Sequence, residues 1–94
     1  MRIYRGARVG KGLNSDISYK GSTYHVQTED WGRANPFLVT QVFRKGAVIK
    51  VVKIPYTKVL PRGENSDSTA IHHALETQHH SILDLLVSGH LTPL

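Results

Sequence analysis

The sequence has no cysteine, a single tryptophan, a single methionine and no long apolar run. Without cysteine there are no disulfides, no thiolate nucleophile and no cysteine-ligated zinc, a pattern that suits a reducing compartment. No stretch approaches the roughly 20 apolar residues that span a bilayer, and the N-terminus carries no apolar run of the secretory-signal type. The expected location is therefore cytoplasmic. Ninety-four residues make one domain, which buries roughly 60 to 70% of the surface its unfolded chain would expose. One modest core fits in that size, so a site is expected on a groove, a sheet face or a strand edge rather than in an enclosed cavity.

Catalytic and cofactor signatures are also missing. There is no Gly-x-Ser-x-Gly elbow, and Ser15 or Ser18 opposite His25 is the kind of pair that arises by chance in any small domain. Gly6 to Gly12 lacks the spacing and the terminal Lys-Ser/Thr of a phosphate loop. On a helix, His72, Glu76 and His79 would share one quadrant, a set able to ligate zinc, but the H-E-x-x-H pattern is absent from the segment HHALETQHH. The expectation is a non-enzyme without cofactor or metal, with these residues forming a polar flank and His73 and His80 facing solvent.

The net charge of +5 is unevenly placed. Residues 1–12 hold Arg2, Arg5, Arg8 and Lys11 and no acid, whereas the remainder holds eight bases and seven acids. Glycines 6, 10 and 12 argue against a stable helix there. Residues 1–12 therefore read as a flexible basic arm, and residues 13–94 as the folded domain. The arm supports solubility or touches phosphate or lipid.

Within the domain the hydrophobic period is two. Leu13, Ile17 and Tyr19 alternate with polar residues up to Lys20-Gly21, and Tyr24, Val26 and Thr28 alternate after it, which makes a hairpin. A second hairpin is expected where Phe37 to Arg44 and Ala47 to Ile54 flank Lys45-Gly46. Pro55 and Pro61 bracket a segment that reads as a short edge strand or a bend, followed by a polar loop from Arg62 to Thr69. A helix then starts near Ser66 or Ser68 and stops at Gly89. Its apolar stripe is Ile71, Ala74, Leu75, Gln78, Ile82, Leu85 and Leu86. The predicted fold is α+β (ββββα): a four-stranded antiparallel sheet of two β-hairpins with one long C-terminal helix packed on one face.

The second hairpin is apolar on both faces, with Phe37, Val39, Phe43, Ile49 and Val51 one way and Leu38, Val42, Val48, Val52 and Ile54 the other. One helix covers one face. Either the arm and the proline-bracketed segment wrap the second face, or a partner does, a homodimer being the simplest version. The segment from Tyr24 to Gly32 presents His25, Gln27 and Glu29 as an outward polar row and runs into Trp31 beside Arg33, a hot-spot composition; alternatively Trp31 seals the end of the core. The expected partner-binding residues are thus His25, Gln27, Glu29, Trp31, Arg33, Leu38, Val42 and Val52. The alternative is nucleic-acid binding through Arg2, Arg5, Arg8, Lys11 and the strand lysines, which the acids Glu29 and Asp30 disfavour.

The run GLNSDISYKGSTYHVQTEDWG, then NPFLVTQVFRKGAVI and ETQHHSILDLL, resembles a family of small bacterial proteins with a hallmark His-Val-Gln-Thr-Glu-Asp strand. The hallmark stands at His25 to Asp30, Gln78 and His79 also match, and the likeness covers roughly residues 12 to 89. In size and layout the chain is similar to bacterial polarity proteins of the RomX type. That similarity implies an adaptor or exchange-factor component, acting with a response regulator on a small Ras-like GTPase in cell polarity and motility, with no chemistry of its own.

Overall fold

The computed structural model describes residues 7–9 and 12–91. Strands β1 (Ala7–Val9), β2 (Gly12–Tyr19), β3 (Ser22–Asp30), β4 (Phe37–Arg44) and β5 (Ala47–Pro55) form one antiparallel sheet in sequence order. A single helical turn α1 (Tyr56–Val59), a 3-10 turn (Gly63–Asn65) and the long helix α2 (Ser68–Val87) follow. The two expected hairpins and the C-terminal helix are present, with a short fifth strand added at the N-terminal edge. That strand lies inside the segment read as a flexible arm, where Ala7, Arg8 and Val9 pair with Asn14, Leu13 and Gly12. The rest of the arm, including Arg2, Arg5 and Lys11, lies outside the described residues.

Both hairpins close on the same two-residue turn. Lys20 and Gly21 have φ of 48° and 78°, and Lys45 and Gly46 have 53° and 79°. Positive φ at both central residues matches the right-handed twist of the strands. A Cβ on Gly21 or Gly46 would meet open space, so glycine is required there by backbone angle rather than by crowding.

Two predicted boundaries move. The cap of α2 is neither Ser66 nor Ser68 but Asp67, whose carboxylate accepts from the Ala70 amide at 2.9 Å. The proline-bracketed segment is a helical turn rather than a strand or bend, closed by the Leu60 amide on the Tyr56 carbonyl at 2.8 Å. At the other end of α2, Gly89 (φ 78°) and His90 donate to the carbonyls of Leu86 and Leu85 at 3.2 and 2.9 Å. This reciprocal pair is the usual glycine stop, and a Cβ on Gly89 would come within 2.9 Å of the Tyr19 hydroxyl.

Helix α2 lies over β2, β3 and β4. Its buried residues are Ala74, Leu75, Gln78, His79, Ile82, Leu83 and Leu86. Relative to the predicted stripe the face is rotated toward His79 and Leu83, and Leu85 is left 41% exposed. One apolar cluster joins Ile17, Val26, Val42, Ile82, Leu83 and Leu86. A second joins Leu38, Tyr56, Leu60, Ala74 and Leu75. Each fully buried large side chain contributes about 1.5 to 3 kcal/mol relative to exposure. The turn α1 therefore closes the end of the helix-side core and does not wrap the opposite face.

Candidate functional site

The two faces of the sheet are built differently. On the helix side a belt of buried polar residues separates the two apolar clusters: Ser15 on β2, Thr28 on β3, Thr40 on β4, and Gln78 and His79 on α2. On β2 and β4 the belt residue sits between inward apolar neighbours, Ser15 between Leu13 and Ile17 and Thr40 between Leu38 and Val42, whereas on β3 Thr28 lies between Val26 and Asp30. Gln78 Nε2 donates to the Leu38 carbonyl at 3.1 Å and to Thr40 Oγ1 at 3.0 Å. Thr40 and Thr28 hydroxyls meet at 2.8 Å, and Thr28 Oγ1 lies 2.7 Å from His79 Nδ1. His79 Nε2 lies 2.8 Å from Ser15 Oγ.

Protons assigned along this chain give one consistent direction, from Gln78 through Thr40 and Thr28 to Nδ1, with Nε2–H donating to Ser15. The imidazole is then neutral. Burial pushes its pKa from the ordinary 6.5 down to about 4, with smaller contributions from His80 and His25. In this arrangement Nε2 carries the proton and is not a base toward Ser15, which is only 4% exposed and held under α2 by this contact. Gln78 Oε1 is buried without a partner among the described residues.

The opposite face carries no covering element among the described residues. Register places Asn14, Gln27, Gln41 and Val51 in one cross-strand row on it, and Asp16, His25, Phe43 and Val48 in the next. His25 Nδ1 lies 2.9 Å from Asp16 Oδ1, and Nε2 lies 3.2 Å from Asn14 Oδ1. The His25 ring tilts against Phe43 with centroids 5.9 Å apart. An open depression between the hairpin ends is lined by Asp16, Thr23, His25, Gln27, Phe43 and Lys45. Toward the other end of the face, Lys53 Nζ stands 4.3 Å from the Phe37 ring centroid and 5.0 Å from that of Trp31, distances at which a cation is held by the ring faces. Trp31 is 42% exposed there; farther along the same face Val51 beside Gln41 and Val48 beside Phe43 are exposed at 38% and 37%.

The residues expected at the site divide between these faces. His25, Gln27, Glu29 and Trp31 belong to the open side. Trp31 does not seal the core. Leu38 and Val42 are fully buried beneath α2, and Val52 is half-buried against the same cluster, so these three are core and not surface. Arg33 is exposed but tethered, its guanidinium donating to the Ser66 carbonyl at 3.2 Å. The face assignment in β5 also changes. A bulge between Val42 and Phe43 in the pairing register skips Ile49, which turns Ile49 to the core cluster and leaves Val48 outward beside Phe43.

Compared with protein-family models, curated proteins and solved structures, the chain matches none. The strand from His25 to Asp30 divides its residues between two tasks by geometry alone. Its inward residues hold the fold: Val26 in the core, Thr28 in the polar belt, and Asp30, which accepts from the Tyr56 hydroxyl and from the Gly32 amide at 2.9 Å. Burial first, and the Asp30 contact second, push the Tyr56 phenol well above its usual pKa. Its outward residues, His25, Gln27 and Glu29, are left for other work.

The helix histidines do not assemble as a trio. His72 pairs with Glu76 at 3.4 Å, whereas His79 turns into the belt. Among the described residues no group of three or more metal-ligating side chains is gathered. The open-face residues that sequence reasoning missed are Phe37, Phe43 and Lys53. Their signal was present in the alternation of β4, where Phe37, Val39, Gln41 and Phe43 share one side.

Proposed function

We propose that this chain is a non-enzymatic protein-interaction module that docks its partner on the helix-free face of the sheet. The observation that carries this reading is the row of apolar residues, from Trp31 and Phe37 around Lys53 at one end through Val51 to Val48 at the other, left on a face that no described element covers. Trp31 and Phe37 bring large rigid surface, Lys53 orients them, and the row of His25, Gln27 and Glu29 supplies a polar rim, the composition of an interface centre with its border. The resemblance to the hallmark-strand family supports an adaptor or exchange-factor component that works with a response regulator on a small Ras-like GTPase. A homodimer through the same face is the competing occupant.

The test is retention of the partner by immobilised protein from native cells, identified by mass spectrometry and then measured with purified components. Wild type and a Leu85→Ala control, altered on the outer side of α2, are expected to retain the same protein. Trp31→Ala combined with Val51→Ser is expected to release it. Retention by that double variant at unchanged affinity overturns the reading.

Nucleic acid is a second reading because aromatic rings and Lys53 share the open face, the arrangement used to stack bases. Asp16 and Glu29 on the same face oppose a polyanion. Counterion release predicts a steep loss of affinity with salt, and absence of binding to single-stranded DNA or RNA at low salt dismisses this reading.

A further inference from the structure

Charge along the folded chain is sorted by element. Residues 31–63 hold seven lysines and arginines and no acid, whereas residues 64–94 hold four acids and no lysine or arginine. The acid-free stretch is β4, β5, α1 and their connections, so one side of the sheet is uniformly basic. Among the described residues that side ends in an open strand edge: β5 pairs only with β4 in the sheet order, and it is nine residues long, whereas the opposite edge strand, β1, has three.

The direction of the free backbone groups follows from the register. The Tyr56 amide donates to the Pro36 carbonyl at 2.9 Å, so Tyr56 faces β4. Alternation then turns Ile54 and Val52 toward β4 as well, and Pro55, Lys53 and Val51 outward. Pro55, which has no N–H, sits at an outward position, where an edge strand tolerates it. From Val51 to Lys53 the edge therefore offers both donors and acceptors in strand spacing.

We infer that β5 accepts an acidic, extended peptide segment of a partner as a sixth strand. This rests on the reading of the chain as a protein-interaction module and adds the chemistry and place of one partner segment. Backbone pairing supplies affinity in strand addition and side chains supply selection. Here Lys50, paired in register with Val42 on the helix side, and Lys45 at the turn select carboxylates on the incoming strand, and the exposed Val48 and Val51 on the open side meet its apolar positions. A second copy is disfavoured, because β5 against β5 brings two acid-free basic hairpins together. The lysines and the bulge that blunt the edge against self-pairing admit an acidic strand. A phosphate backbone would use the cations but not the row of free carbonyls.

The experiment is amide NMR of the isotopically labelled protein, titrated with an end-capped nine-residue peptide alternating glutamate and valine. The expected result is shifts concentrated on β5, with Val51 and Lys53 foremost, and affinity about tenfold or more above that of the same peptide with lysine in place of glutamate. Val51→Pro is expected to abolish these shifts and Val51→Thr to keep them. If Val51→Pro disturbs the α2 resonances, Lys45→Glu with Lys50→Glu is read instead, and it should reverse the preference between the two peptides. Leu85→Ala on the outer side of α2 should leave peptide affinity unchanged, and absence of β5 shifts in a protein that still retains its captured partner separates failure at the edge from failure of docking on the open face. Equal binding of both peptides, shifts centred elsewhere, the same β5 shifts from an oligothymidylate of equal charge, or a homodimer through β5 that excludes the peptide would each overturn the inference.

Discussion

The two faces of β3 differ in what they bury. Val26 and Thr28 point under α2 and are fully buried, while His25, Gln27 and Glu29 point the other way and keep solvent contact. The inward face is closed: apolar residues fill two clusters and every belt residue makes at least one hydrogen bond, Gln78 Oε1 alone among the belt's polar atoms being left without one among the described residues. The outward face is not, since Trp31, Val48 and Val51 stay exposed. What folds the protein and what we propose it offers to a partner are separated by the thickness of one sheet.

The sharpest way to break this comparison is the same substitution on both faces. Val42→Glu buries a carboxylate in the first cluster and is expected to cost about 5 kcal/mol, enough to unfold a domain of ordinary stability. Val51→Glu on the open side is expected to stay within about 0.5 kcal/mol. Urea denaturation of the two variants measures the difference, and similar losses would erase the distinction.

A smaller effect tests the belt by pH. His79 is held neutral in the fold, so the unfolded chain takes up its proton first as pH falls. Stability is then full above 6.5 and declines as pH drops toward 4, the folded value, by about 3 kcal/mol in all. His79→Leu should flatten this slope relative to wild type in thermal melts across that window. Thr28→Val comes next. It strands His79 Nδ1 and the Thr40 hydroxyl and is expected to cost about 1 to 3 kcal/mol. Asp67→Ala, which removes the α2 cap, should cost about 1 kcal/mol and leave the sheet intact by amide exchange.

Much of the fold was legible because the period of two and the period of 3.6 are both strong in this chain. Two Lys-Gly turns, two hairpins and the Gly89 stop follow from local rules. The departures have local causes as well. The cap moved to Asp67 because its carboxylate, one residue beyond Ser66, reaches the Ala70 amide. Tyr56 was hidden because the flanking prolines argue against a strand without revealing the ring's burial against Leu38 and Leu75.

The site was half legible. His25, Gln27 and Glu29 face outward as alternation requires. Leu38 and Val42 were misplaced because an apolar run on both faces does not say which face the helix takes. His79 was read as a solvated flank because its partners, Ser15 and Thr28, lie 64 and 51 residues away. The bulge that exchanges Ile49 and Val48 leaves no mark in composition.

The central claim is that recognition uses the face the helix leaves bare. Its most direct measurement is partner affinity for Trp31→Ala with Val51→Ser beside Leu85→Ala, each alongside its urea midpoint. Both proteins should unfold close to wild type, and the open-face variant alone should lose the partner, by about 2 kcal/mol or more. An open-face variant that keeps full affinity while the helix-side control loses it would contradict the account.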